Sequence, residues 1–130
     1  MRAEDEVLAK LDRLNALLFA RDPAMVDELW CDLGFTLYGS EQGETVETRA
    51  ELQTLCANLF ARPYRLGWKW DRRRATCQDN LAWIVAEGRI EMTHPDRVEH
   101  LPYRMVGVLQ QIGGEWRWRL FSGSEPASAR

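Results

Sequence analysis

The spacing of apolar residues changes near Arg65. Before this point, apolar residues recur every three or four positions in three stretches, which is typical of amphipathic helices with one buried stripe. After it, apolar and polar residues alternate, which is typical of strands with one buried face. Helices followed by a run of strands predict an α+β fold, with the helices gathered on one face of an antiparallel sheet.

The helical part of the chain carries its own start and stop signals. The first helix is predicted over 7–19, and Pro23 suits the first turn of a second, shorter helix. A short strand is predicted over 35–38, before a turn at "EQGE". Thr48 and Glu51 have the spacing of a capping box, so a third helix is predicted to begin behind them.

The alternating part predicts four strands. They cover about 65–77, 81–93, 103–112 and 116–122. The pair Gly113 and Gly114 between the last two is a strong hairpin signal. With 130 residues the chain is long enough for one core, so a single domain over 1–130 is expected.

The pleat assigns side chains to opposite faces of these strands. In the first long strand the side chains predicted to point inward are Leu66, Trp68 and Trp70, and those predicted to point outward are Lys69, Asp71 and Arg73. In the last strand Trp116, Trp118 and Leu120 are predicted to share the buried face. In the middle strand Trp83 and Val85 alternate with Ile84 and Ala86, so both faces are expected to be covered near its start.

Composition and charge narrow the class of protein. The chain has 45% hydrophobic and 28% charged residues, which indicates a globular domain and not a disordered tail. Its net charge of -3 argues against general nucleic-acid binding, and the stretch "WKWDRRR" separates its aromatic residues and most of its charges onto opposite faces. No nucleic-acid partner is expected.

The few cysteines and histidines exclude common metal and disulfide patterns. Cys31, Cys56 and Cys77 are widely spaced, as expected of reduced thiols in a cytoplasmic protein. His94 and His100 flank a predicted loop, and two histidines do not supply a histidine-rich metal site. No apolar run reaches the ~20 residues of a membrane span. We therefore expect no metal, no cofactor and no membrane partner.

Several segments together resemble a known family. Four segments follow one another: a strand ending "YGSEQGE", a helix beginning "TRAELQTL", and then "LAWIVAEGRIEM" and "PYRMVGVLQQIGGEWRWRLFSGSEP". Their order and texture resemble SnoaL-like, nuclear-transport-factor-like (NTF2-like) domains of the cystatin-like superfamily. The likeness covers nearly the whole chain and contains no catalytic signature. It implies three helices on a strongly curved, mainly antiparallel sheet that forms a cone-shaped half-barrel, with a pocket between the sheet and the first helix.

The resemblance also implies a partner. Such domains very often form homodimers through the outer face of the sheet, which would cover Trp83 and Val85. The superfamily includes cyclases, isomerases, dehydratases, hydrolases and non-enzymatic association domains, so the fold alone selects no function.

Candidate site residues follow from the strand faces. A small apolar or anionic ligand is expected to contact five side chains: Tyr38, Trp68, Trp70, Arg104 and Trp118. The alternative for the tryptophans is that they only fill the barrel. Glu87 and Tyr38 are the candidates for catalysis, although Glu87 and Glu91 are expected on the outer face with Arg89 between them.

Three functional hypotheses remain open at this level. The first is a binding module without chemistry, since no histidine falls in the predicted pocket. The second is a cofactor-independent isomerase, cyclase or hydrolase that acts on a small polyketide-, steroid- or terpenoid-like substrate. The third is a dimerising scaffold whose barrel is filled. Whether the protein is an enzyme is left open.

Overall fold

The computed structural model describes residues 2–128 and contains three helices and six strands. They follow one another as α1 (Ala3–Ala20), α2 (Ala24–Leu29), β1 (Thr36–Tyr38), β2 (Thr45–Val46), α3 (Arg49–Phe60), β3 (Arg65–Gln78), β4 (Leu81–Thr93), β5 (Val98–Ile112) and β6 (Glu115–Ser124). This is the predicted α+β order, with β2 added and β5 starting earlier than expected. No helix within the described residues is both long and apolar enough to cross a bilayer.

The strands form one curved, unclosed sheet. Their order is β2-β1-β6-β5-β4-β3, and every neighbouring pair is antiparallel except β1 and β6, which are parallel. Gly113 and Gly114 both have positive φ, as the predicted two-residue hairpin between β5 and β6 requires. The helices pack on the concave face, so the predicted mainly antiparallel half-barrel is confirmed.

Helix α1 is held to the open edge of the sheet by one asparagine. β3 is the last strand, so one side of its backbone has no neighbouring strand. Asn15 of α1 donates from Nδ2 to the Trp68 carbonyl oxygen at 2.9 Å and accepts from the Trp68 amide at Oδ1 at 2.8 Å. Since buried backbone groups need partners, this pair fixes both α1 and Trp68.

A buried carboxylate joins the first two helices. Glu28 of α2 is 6% exposed, accepts from Arg13 Nε at 2.7 Å and forms an ion pair with Lys10 Nζ at 2.5 Å, both on α1. Removal of either cation would leave a buried charge short of a partner, which is costly. At the start of α3 the predicted capping box is present: Thr48 Oγ1 accepts from the Glu51 amide and the Glu51 carboxylate accepts from the Thr48 amide.

Two irregularities in the strands correct the predicted faces. A bulge between Trp70 and Arg72 shifts the register of β3, because Asp71 has no partner on β4. Beyond it the alternation is reversed, so Arg73 turns to the helix side and pairs with Asp12 of α1. The prediction that Arg73 faces away from the tryptophans was therefore wrong.

The second irregularity lies in β6. The register with β5 shifts between Val108 and Leu109, so that Trp118 pairs with Leu109 and Leu120 pairs with Val108. Trp118 remains buried, but Leu120 lies on the outer side of the sheet together with Val108. The predicted common face of Trp118 and Leu120 was wrong, since a uniform alternation takes no account of the bulge.

Candidate functional site

A cavity opens between the helices and the concave face of the sheet. Its volume is about 90 Å³. Apolar side chains of all three helices and five strands form most of its wall: Leu14, Leu18, Met25, Leu29, Leu37, Leu52, Leu55, Leu59, Leu66, Ile90, Met92, Leu101 and Phe121. Such a wall favours a hydrocarbon group over a strongly hydrated one.

Two aromatic side chains provide polar atoms at this cavity. Trp68 of β3 and Tyr103 of β5 are 5% and 4% exposed, and their ring centroids lie 6.1 Å apart. The Trp68 indole nitrogen is fully buried and lies close enough to the Tyr103 hydroxyl to lower the pKa of that group. A ligand in the cavity would therefore meet the Tyr103 hydroxyl before the indole nitrogen.

The Tyr103 hydroxyl is held as a neutral phenol. Burial, followed by the negative charge of Glu44, raises the pKa of Tyr103 above its ordinary value, while hydrogen bonds with Trp68 and Ser40 oppose this rise. Gly123 on β6 leaves the space that this hydroxyl occupies, because a Cβ at that position would overlap the phenol oxygen. At neutral pH Tyr103 can therefore both donate and accept a hydrogen bond inside the cavity.

Charged side chains surround the opening. Arg62, which follows α3, pairs with Glu41 Oε2 at 2.7 Å and lies 4.0 Å from Glu44 Oε2. Ser40 donates to Glu125 Oε1 at 3.3 Å. Three carboxylates and one guanidinium thus line the opening within residues 2–128, which makes it negative overall.

The comparison with protein families agrees with this architecture. A model of the SnoaL-like domain matches residues 7–128, which is nearly the whole chain. The chain belongs to the SnoaL-like domain family. No protein with a curated description matches this SnoaL-like chain.

Solved structures share its fold at low sequence identity. An NTF2-like family protein from Streptomyces avermitilis that is assigned as a dehydratase superposes with a TM-score of 0.84 at 8% identity, over 95% of this chain and 96% of its own. An NTF2-like protein of unknown function from Pseudomonas putida gives 0.82 at 14% identity, over 97% and 88%. An NTF2-like protein with a cystatin-like fold from Novosphingobium aromaticivorans gives 0.77 at 12%, over 96% and 82%. These similarities establish the fold alone.

The predicted aromatic contacts of the SnoaL-like domain divide into three environments. Trp68 lines the cavity. Trp70 lies behind it, stacked on Trp68 at 5.7 Å between ring centroids. Trp118 is fully buried in the core and packs against Phe121, with 6.0 Å between their ring centroids. Trp68 lines the cavity, while Trp70 and Trp118 fill the space around it.

The other predicted site residues lie away from the cavity. Tyr38 is 49% exposed on β1. Arg104 and Glu87 lie on the outer face of the sheet, where their side chains form an ion pair of 3.4 Å. The expected outward position of Glu91 is also observed, with Arg89 Nε 3.0 Å from Glu91. The structure thus separates these residues from Trp68 and brings Tyr103 and Glu44 beside it instead.

The histidines are also outside the cavity lining. His94 packs against Tyr64 with the two rings tilted and their centroids 5.1 Å apart, and its Nε2 lies 3.1 Å from Glu99. His100 was predicted to flank a loop before the strand, but it is exposed and lies within β5, which begins earlier than predicted. No cluster of three or more potential metal-binding side chains occurs in the part of the chain that the structure describes.

The sequence offered only a weak signal for Tyr103. Tyr103 and Met105 alternate with Arg104 and Val106, and both sets contain apolar side chains. Either set could therefore face inward, and the prediction placed the arginine at the ligand. Glu44 gave no signal at all, because it reaches the cavity from a turn whose path depends on the tertiary fold.

Proposed function

We propose that this SnoaL-like domain binds a small, largely apolar molecule in the cavity between its helices and sheet. In this proposal the polar end of the ligand lies beside the Tyr103 hydroxyl, and a hydrocarbon part contacts the leucine-rich wall. The supporting observation is an apolar cavity whose lining includes the buried, neutral Tyr103 phenol. Such a combination of apolar surface and few placed polar atoms is typical of ligand sites.

The size of the cavity limits the ligand. An enclosed volume of about 90 Å³ is well below the ~300–1,000 Å³ of typical small-molecule sites. Tryptophans and leucines occupy much of the space that a larger ligand of the steroid type would need. We therefore favour a ligand of a few carbon atoms, or one whose polar end extends into the opening.

The proposal is tested by titration of the protein with n-hexanol, followed by tryptophan fluorescence. We expect saturable binding that Trp68→Phe weakens, because the smaller ring removes part of the cavity wall. The matched control is Trp83→Phe on the outer face, which should leave the dissociation constant unchanged. Absence of a saturable response in the unsubstituted protein would contradict the proposal and favour a scaffold with a filled barrel.

A catalytic role is the second candidate. It is favoured by the neutral Tyr103 phenol and the Glu44 carboxylate, which line the same cavity. A phenol can stabilise a carbonyl oxygen that becomes negative, and a carboxylate can accept a proton. Tyr103→Phe should then abolish turnover of a substrate while retaining its binding. Equal turnover by the variant would exclude this role for Tyr103.

We also propose that a second copy of the chain covers the outer face of the sheet. Trp83, Val85 and Val106 are 40%, 39% and 46% exposed and lie in adjacent rows of β4 and β5. The ion pair between Glu87 and Arg104 borders them, so the surface carries both signs of charge. Two copies related by a two-fold axis can match such a surface to itself.

Size-exclusion chromatography tests the dimer. Trp83→Arg should elute as a monomer, because it places a charge in the apolar centre of the interface. Leu33→Arg is the matched control, since Leu33 is 64% exposed and lies outside the sheet. Elution of Trp83→Arg at the same volume as the unsubstituted protein would contradict the proposed interface.

A cytoplasmic location is proposed on the basis of the cysteines. Cys31, Cys56 and Cys77 are all free. Burial raises the pKa of Cys56 to about 11, so its thiol is protonated and unreactive at neutral pH. Free, protected thiols are typical of proteins in reducing compartments.

A further inference from the structure

A surface groove lies directly beside the cavity. It runs between residues 41–46, which form β2 and the turn before it, and one face of α3. Most of the residues that line this groove are exposed, whereas most of those that line the cavity are buried or half-buried. Five residues line both spaces and therefore form the partition between them: Glu41, Glu44, Leu55, Leu59 and Arg62.

An ion pair closes the polar side of this partition. Arg62 donates from Nη2 to Glu41 Oε2 at 2.7 Å and from Nη1 to Glu41 Oε1 at 3.4 Å, so the guanidinium and the carboxylate meet at two points. The same Nη1 lies 3.4 Å from the Tyr64 hydroxyl. The pair thus connects the turn before β2 with the segment after α3, two parts of the chain that have no strand pairing with each other.

The backbone is held in place on both sides of this ion pair. The Arg62 carbonyl oxygen accepts from Arg21 Nη2 at 2.7 Å. The Glu41 amide donates to Glu44 Oε1 at 3.0 Å, and the Glu41 carbonyl oxygen accepts from the Glu44 amide at 3.2 Å. The side chains of Arg62 and Glu41 are therefore the parts of the partition that can move most easily.

Such a side-chain movement requires little energy. Half of the Glu41 side chain and about a quarter of the Arg62 side chain are exposed, at 51% and 26%. Water and salt weaken an ion pair of this exposure, so it separates readily. Rotamer changes of exposed side chains are also fast, within picoseconds to nanoseconds.

From this arrangement we infer that the ion pair between Arg62 and Glu41 is a gate through which a ligand passes from the groove into the cavity. This inference rests on the proposed ligand-binding function of the cavity. When the pair is formed, the two spaces are separate, and rotation of the guanidinium away from Glu41 joins them. Leu55 and Leu59 border the passage, so it suits a slender, uncharged molecule such as an unbranched alcohol.

The gate is tested by the rates of binding. Line-shape analysis of a nuclear magnetic resonance titration with n-hexanol gives the association and dissociation rate constants. Arg62→Met removes the pair and should raise the association rate constant about two- to fivefold, as the loss of an exposed ion pair would allow. Removal of a side chain that only contacts the ligand would raise the dissociation rate constant alone.

Arg49→Met is the matched control. It breaks the ion pair of Arg49 with Asp27, which joins α2 and α3 outside both the cavity and the groove. The association rate constant should therefore remain that of the unsubstituted protein. Glu41→Gln breaks the gate from the exposed turn and should act like Arg62→Met, which keeps the test decisive if Arg62→Met does not fold.

Salt provides a second measurement of the gate. n-Hexanol has no charge, so its encounter with the protein gains nothing from electrostatic attraction. Raising sodium chloride from about 0.1 M to about 1 M shortens the screening length from about 10 Å to about 3 Å and weakens the pair. Association with the unsubstituted protein should become faster, and association with Arg62→Met should change less.

The possible results separate the inference from the function on which it rests. Equal association rate constants for the unsubstituted protein and Arg62→Met overturn the gate and leave the proposed binding function intact. An equal increase in Arg49→Met also overturns the gate, because the effect would not come from this pair. Absence of n-hexanol binding by the unsubstituted protein overturns both.

Discussion

At the scale of single residues, the cavity depends on three close approaches. Asn15 fixes the backbone of Trp68, Gly123 makes room for the Tyr103 hydroxyl, and the two aromatic rings lie 6.1 Å apart. Each requires a specific side-chain size at a buried position. The phenol is thereby presented to the cavity in a fixed position, which reduces the entropy lost when a ligand binds.

The burial of Tyr103 predicts a pH dependence of stability. Its pKa is higher in the folded than in the unfolded protein, so the folded state retains the proton while the unfolded state loses it. The stabilisation by the neutral phenol is complete below its ordinary pKa of ~10 and is lost as the pH rises above that value. Relative to Tyr103→Phe, the unsubstituted protein should lose up to about 1.4 kcal/mol of unfolding free energy per pH unit in this range.

The difference in unfolding free energy between the two proteins is measured by urea unfolding from about pH 8 to about pH 11, on either side of the ordinary tyrosine pKa. Other titrating groups are common to the two proteins, so their effects cancel in the comparison. A difference in unfolding free energy that stays constant over the whole interval would show that the phenol is not shielded from solvent.

At the scale of elements, the regular parts of the fold were predictable and the irregular parts were not. The three helices follow from apolar spacing and capping signals at Pro23 and Thr48, and the four long strands follow from alternation. The bulge at Asp71 has no local signature, because nothing in "WKWDRRR" distinguishes a residue without a partner from a paired one. It reversed the face of Arg73 and moved this side chain onto Asp12.

Gly88 is predicted to be required for the bulge. It lies opposite Trp70 on β4, where a Cβ would overlap the Lys69 carbonyl oxygen and approach the Trp70 Cα to 2.9 Å. Backbone atoms cannot move aside as a flexible side chain can. Gly88→Ala should therefore destabilise the protein by at least about 1–3 kcal/mol, as measured by urea unfolding.

A glycine in the facing strand provides the control for this experiment. A Cβ on Gly67 of β3 would meet only side-chain atoms at 3.5 Å or more, which is ordinary contact. Gly67→Ala should cost less than about 1 kcal/mol, within the usual range for a mild substitution. Similar destabilisation by both variants would show that strand glycines matter in general, and that the bulge imposes no special requirement at Gly88.

At the scale of the whole molecule, a curved sheet that wraps around α1 creates the site. Bulges in β3 and β6 accompany the bending of the long strands, and α1, α2 and α3 close the concave side above the leucine-rich wall. Trp118 and Trp70 fill the space beside the cavity, so the cavity that remains is small. The sequence predicted this layout and Trp68, while Tyr103 and Glu44 depend on how the strands and the turn before α3 meet in space.

The central claim is that Trp68 and Tyr103 form the polar end of a ligand site. The most direct test is a nuclear magnetic resonance titration with n-hexanol that follows the indole N–H signals of the six tryptophans. The Trp68 signal, identified by its loss in Trp68→Phe, should shift strongly with saturation, while that of Trp83 on the outer face stays in place. A Trp68 signal that does not move while n-hexanol binds would contradict the account.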